Sequence, residues 1–455
     1  MAIDATPRNA AHLLRRAAWG GRPDEILQVV DVGIEAAVDA LLDPSQAPVV
    51  GEPVRFGGIE PYSPVEFESW FVRLAATSPT PAIERLAWFW SGHFATGIEK
   101  VEFVDLMHRQ LVMLRRLGLG RFDDLLKAVT RDAAMNIWLD LNLSTVGNPN
   151  ENFARELMEL FSMGIDNGYT QSDVVNAARA LTGYQLTDHE GTGRVVGTTL
   201  HAALHDHGLK TLFGETGPFD GDDVVDMITN RRECHEFIAR RMWHRYAGTS
   251  PAAQVVSTLA NAFGARLSID DLLRTMLTLP QFYDDDVQAG LVSQPLESIV
   301  RVVRGFDLPV YDAEALSIEE ADETTGPNQM PPWIIESWGE TMGQRLASPP
   351  NVAGWPHNAA WLDSNRAAGR LVAGIEMGHA VAEYESPALE RLWSSIGDGA
   401  RLTAELMAGM GVVEWTAETE SAIAAAAGSH TVDDPYQSLV AAFAVAFTSP
   451  EVTLA

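Results

Sequence analysis

The sequence predicts a mainly α, large multi-helix globular fold with long irregular loops and room for one small β-hairpin near residues 186–215. Three observations carry that prediction. Apolar residues recur at helical spacing through most of the 455 residues, rather than alternating in twos as strands do. Helix-start signals precede several of those runs. Two stretches break the pattern: 46–63 is rich in Pro and Gly, and 185–221 mixes Gly, Thr, His and Asp with short β-branched pieces such as Val195-Val196 and Thr198-Thr199.

Taken in order, the chain opens on Arg15-Arg16, a pair that export signals also carry. The residues that follow, Ala17 to Glu25, lack the apolar stretch such signals need, so the start reads as mature protein and a cytoplasmic location is the default expectation. Thr80-Pro81 reads as an N-cap with proline at the first helical position, leading into Ile83, Leu86, Ala87 and Trp90 on one face. Asn148 to Gly164 reads as a complete helix: Asn148 as N-cap, Pro149 in the first turn, Glu151 at the capping-box position and Gly164 as the left-handed stop. Thr170 with Asp173 resembles a capping box ahead of Val174, Ala178 and Leu181. The pieces Phe122 to Leu126 and Ile269 to Leu273 look alike, but a shared helix-start pattern explains them, so no repeat is assigned. Residues 306–331 form an acidic, proline-bearing connector. The whole of 1–455 is expected to be one domain, with a helical N-terminal portion over 1–185, a loop or hairpin insert over 186–221 and a helical C-terminal portion over 222–455.

Composition excludes several functions. Lys and Arg number 32 against 62 Asp and Glu, a formal charge of -30, so a nucleic acid or an anionic membrane surface would meet a repulsive field. No apolar run approaches the roughly 20 residues that membrane insertion of a helix requires. Cys234 is the single cysteine, which rules out an intrachain disulfide and a cysteine-based metal centre. Any metal would need His and carboxylate ligands.

Three segments could carry chemistry. On the expected helix after Asn148, Phe153, Leu157, Leu160 and Phe161 form the apolar face and leave Asn152, Arg155, Glu156 and Glu159 on a polar stripe. Ordinary i,i+4 ion pairs, Glu151 to Arg155 and Arg155 to Glu159, account for that stripe unless it is buried. His93 follows the aromatic run Trp88-Phe89-Trp90 and the turn-permitting Gly92, where a hydrogen-bonded core histidine is the plainer reading. His201-Ala202-Ala203-Leu204-His205-Asp206-His207-Gly208-Leu209-Lys210 gathers three histidines, an aspartate and a lysine in ten residues. A di-iron bundle is not supported, because Glu-x-x-His occurs once, at Glu376 and His379, and no phosphate-binding loop is present.

These segments, in order, resemble the bacterial domain-of-unknown-function 1800 family from about residue 9 to 372. The matching pieces are His12 to Ala17 with Trp19-Gly20, Phe89-Trp90 with Gly92 to Thr96, Pro149 to Leu157, Gly168-Tyr169-Thr170, Ala178 to Gly183, His205-Asp206 with Lys210, Met342-Gly343-Gln344, Pro349 to Val352 and Gly354-Trp355-Pro356. The resemblance implies a largely helical fold and no assigned activity. It also implies a partner, since many relatives look exported and are encoded beside an alkaline-phosphatase-like protein; the missing export signal sets this chain apart.

The polar motif residues suggest one buried cluster with two readings. In the first, the chain is a scaffold or partner-binding protein and the cluster is a satisfied network joining helix ends. In the alternative, a metal-assisted hydrolase, His93, Glu156, His205 and Asp206 hold a divalent metal, Glu151 or Glu159 is general base, and Lys210 or Arg155 stabilises developing negative charge.

Overall fold

The computed structural model describes residues 3–50, 63–188, 195–264, 266–312, 328–428 and 434–454. Helices dominate the described residues, and strands are confined to two small antiparallel hairpins, β1 (Tyr184–Asp188) with β2 (Val195–Leu200), and β3 (Lys210–Leu212) with β4 (Glu215–Gly217). The mainly α expectation therefore holds, with a second hairpin where one was expected. Most of the Pro- and Gly-rich stretch, 51–62, and most of the acidic connector, 313–327, lie outside the described residues.

Local signals explain where the helices begin. The helix Gln171–Ala180 starts with the expected reciprocal cap, Thr170 Oγ1 accepting from the Asp173 amide at 3.2 Å while Asp173 accepts from the Thr170 amide at 2.7 Å. The expected cap at Asn148 moves two residues on. Asn148 and Thr145 exchange backbone hydrogen bonds in a tight turn, so Asn150 Oδ1 takes over, accepting from the Asn152 amide at 2.9 Å, and the helix runs Glu151–Glu159. Thr80 stands at the N-cap of the helix Pro81–His93, yet its hydroxyl caps nothing; it lies 3.2 Å from the Ser78 hydroxyl, which itself donates to Glu84. The look-alike pieces begin the helices Phe122–Thr130 and Ile269–Leu277 and face each other, the Phe122 amide donating to Leu267 and the Ile269 amide to Gly120.

Buried apolar side chains form two clusters. One joins the first three helices to residues from about 114 to 287; the other joins the helix Pro64–Thr77 to the helix Pro295–Gly305 and the C-terminal helices. The helix Pro81–His93 belongs to both, with Phe89 and Trp90 in the first cluster and Ala87 and Trp88 in the second. Only Ser91 and Gly92 escape full burial along it. This corrects the one-faced helix expected from spacing: a helix apolar on all sides is a core helix, and this one is the junction of the two cores. Its two interior charges are paired. Glu84 accepts from Arg115 at 2.6 and 2.8 Å, and Arg85 lies 3.2 Å from Glu297.

Candidate functional site

The residues singled out from sequence fall into three places. On the helix Glu151–Glu159, Arg155 reaches Glu151 at 3.2 Å, Glu159 at 3.4 Å and Gln171 at 3.1 Å. The pairs are partly exposed, and such pairs contribute about 0.2–0.5 kcal/mol each. Glu156 is half-buried and has no side-chain partner among the described residues; burial and then the neighbouring Glu159 push its carboxyl up.

The histidine-rich segment closes on the end of the helix Gln171–Ala180. Arg179 donates to Asp206 at 2.7 Å, the Asp206 amide donates to Thr182 Oγ1 at 2.8 Å, and His205 Nδ1 donates to the Thr182 carbonyl at 3.0 Å. The ammonium of Lys210, a residue only 1% exposed, is capped by the carbonyls of Asp206 and Gly208. Arg179 holds the Asp206 carboxyl below its usual range, and burial lowers Lys210. Two motif pieces far apart in the chain thus lock one loop.

His93 lies elsewhere. Its Nε2 is 2.9 Å from the Phe161 carbonyl oxygen, which can only accept, so Nε2 carries the proton and Nδ1 keeps a lone pair with no partner. Burial, and then the Arg241 charge, pull its pKa down to about 3, so the ring is neutral at pH 7. Among the described residues no three His, Cys, Asp or Glu side chains are placed to hold a metal ion. His93, Glu156, His205 and Asp206 are therefore not gathered as a ligand set, and the single polar cluster expected from the motifs is several separate networks.

What His93 does line is a pocket of about 190 Å³, bounded by the helices Pro81–His93 and Arg232–Ala247 and by residues 353–357. Gly354 makes this wall possible. It adopts φ +84°, and a β-carbon on it would stand 2.1 Å from the Gly92 carbonyl oxygen. Only glycine lets the segment lean on the helix end and bring Trp355 and His357 to the pocket that His93 lines. From the other side, Arg241, His244 and Arg245 project at i, i+3 and i+4, one face of one helix.

The pocket is cationic in a strongly acidic protein. Arg245 is bound to Glu297 at 2.5 Å, and Arg85 shares the same carboxylate. Behind them lie the guanidiniums of Arg16, Arg301 and Arg370, buried and held by backbone carbonyls and serine hydroxyls. Burial would raise Glu297, but Arg245 and Arg85 outweigh it and hold the carboxyl at about 2. Arg241, exposed at the pocket, has no hydrogen-bond or ion-pair partner among the described residues. His244 beside it also lacks one, and burial with Arg241 and Arg240 lowers its pKa; His357 is lowered to about 4, chiefly by burial and then by Arg245.

Sequence reading missed Arg241, His244, Arg245, Glu297 and His357. The signal was present in the run Arg240-Arg241-Met242-Trp243-His244-Arg245, a basic block in a chain with nearly twice as many acids as bases.

Fold and pocket together define a large, mainly α protein with a cationic cavity where two apolar cores meet. No described helix is long and apolar enough to cross a membrane. The chain belongs to the family described as Protein of unknown function (DUF1800), which it matches over residues 12–454. That match runs well past residue 372, where the resemblance read from motifs ended. No curated protein and no solved structure matches the chain.

Proposed function

We propose that this protein acts by binding a partner or ligand through a small anionic group received in the pocket of Arg241, His244 and His357. This narrows the scaffold or partner-binding role expected from sequence to a stated chemistry. One observation carries it: Arg241 keeps an unpaired guanidinium at a cavity, among the described residues, in a chain whose carboxylates outnumber its cations 62 to 32. Surplus acid makes an intramolecular partner easy to supply. A guanidinium left open beside neutral imidazoles is poised for a bidentate anion from outside. The buried arginines behind the pocket add to its positive potential, and apolar walls strengthen that field. The metal-assisted alternative lacks comparable support, since the residues named for it do not assemble as ligands.

Thermal unfolding with acetate, phosphate, sulfate and benzoate tests the reading. At least one anion should raise the melting temperature saturably, because a ligand that binds only the folded state stabilises it by mass action. Arg241→Gln should abolish that rise. No stabilisation by any of the four, or an undiminished rise in the variant, would rule the reading out.

A further inference from the structure

Gly92 stands in the last turn of the helix Pro81–His93 and lines the pocket. Glycine weakens a helix relative to alanine because it gives up more backbone freedom on folding. Two glycines inside another helix have a steric reason: a β-carbon on Gly369 would lie 2.1 Å from the Thr341 carbonyl oxygen, and one on Gly378 would crowd that of Val440 at 3.2 Å. Gly92 has no such reason. A β-carbon there would meet no atom within 4 Å, and its φ is outside the left-handed region. The bare position relieves no clash; it leaves space open in the cavity.

Aromatic side chains surround that space. Trp88 and Phe89 precede Gly92 by four and three residues, hence share its helix face, and Trp355 lines the same pocket. The cavity, about 190 Å³, is slightly larger than the roughly 150 Å³ cavity that holds one benzene. Arg241 is the one guanidinium lining the pocket that has no partner among the described residues, since Arg245 is engaged by Glu297. One open guanidinium presents a two-pronged donor edge that matches the two oxygens of a carboxylate.

Resting on the anion-binding reading above, we infer that the pocket takes a small aromatic carboxylate, its ring over the bare backbone of Gly92 against Trp88, Phe89 and Trp355, its carboxylate at Arg241 and His244. Gly92 is then a specificity-determining residue, because its missing side chain leaves room for a flat ring.

Calorimetric titration of the full chain with benzoate, acetate, phosphate and benzyl alcohol separates ring from charge. Benzoate should bind at least about tenfold more tightly than acetate or benzyl alcohol, because each of those supplies only half of the contacts. Gly92→Leu should lower benzoate affinity by about tenfold or more by filling the space. Gly92→Ala, which improves the helix, should keep or raise the melting temperature while weakening benzoate to a smaller extent. Benzoate no tighter than acetate, or unaffected in both Gly92 variants, would overturn the aromatic inference. Acetate or phosphate binding that disappears in Arg241→Gln would then leave the anion-binding reading standing. If none of the four probes binds, both fall together.

Discussion

The Glu297 carboxylate lies 3.2 Å from the Arg85 guanidinium, with the two side chains 3% and 5% exposed, and it shares its charge with Arg245 at 2.5 Å. It is the one carboxylate that touches this group of buried guanidiniums among the described residues. Removing it leaves two buried cations uncompensated, so Glu297→Ala should cost about 3–5 kcal/mol. Chemical denaturation measures this directly; a loss below about 1 kcal/mol would mean that water reaches the cluster.

The same residue sets an acid dependence. Its folded pKa of about 2 lies below the unfolded value, so its stabilisation is complete above roughly pH 4.3 and is lost as pH falls through about 2. The stability gap between the parent and Glu297→Gln should therefore shrink across that window. An equal gap at pH 2.5 and pH 7 would contradict the assignment.

His93 acts in the same direction over a higher pH range. Its folded pKa of about 3 lies below the unfolded value near 6.5, so the unfolded chain takes up a proton first and stability falls as pH drops from about 6.5 toward 3. Its imidazole resonances should not titrate between pH 8 and pH 5 in nuclear magnetic resonance spectra. A midpoint near 6.5 would show that the ring is wet.

Gly354→Ala should be destabilising, because the new β-carbon meets the Gly92 carbonyl at 2.1 Å and the φ of +84° is strained for any L side chain. The backbone term alone is about 1–2 kcal/mol. Displacing residues 353–357 should also weaken anion-dependent stabilisation. Gly92→Ala, its contact partner, should gain about 0.5–1 kcal/mol instead. Equal melting temperatures for the two variants would refute the packing described.

Two carboxylates from the sequence motifs should behave oppositely. Asp206→Asn breaks a charged hydrogen bond to Arg179 and should cost about 1.5–3 kcal/mol, nearer the lower end because Arg179 is 29% exposed. Glu156→Gln should be neutral or slightly stabilising, since burial and Glu159 already disfavour its charge. A large drop in melting temperature there would show that Glu156 is held in a structural network.

Much of the fold was legible because helix caps and apolar spacing are local. Thr170 and Asp173 are three residues apart, so their reciprocal bond can be read directly from the chain. The cap at Asn150 was less legible, because the turn that occupies Asn148 depends on Thr145 pairing across it. The motif residues were expected to meet in one place, but His205, Asp206 and Lys210 gather with Arg179 and Thr182 rather than with His93. Which polar residues share a network depends on loop closure, and spacing says nothing about it.

The linear chain determined that this protein would be helical, acidic and without an intrachain disulfide, because composition and short-range periodicity decide those properties, and its ordered motifs carried the resemblance to its family. Tertiary structure alone decided the pocket. Arg241, His244 and Arg245 sit one turn apart, but His93, Glu297 and His357 come from distant segments. They meet because the helix Pro81–His93 is buried between two cores, and because Gly354 lets residues 353–357 lie against its end. Proximity of that kind is fixed by packing, in which each segment's position depends on all the others.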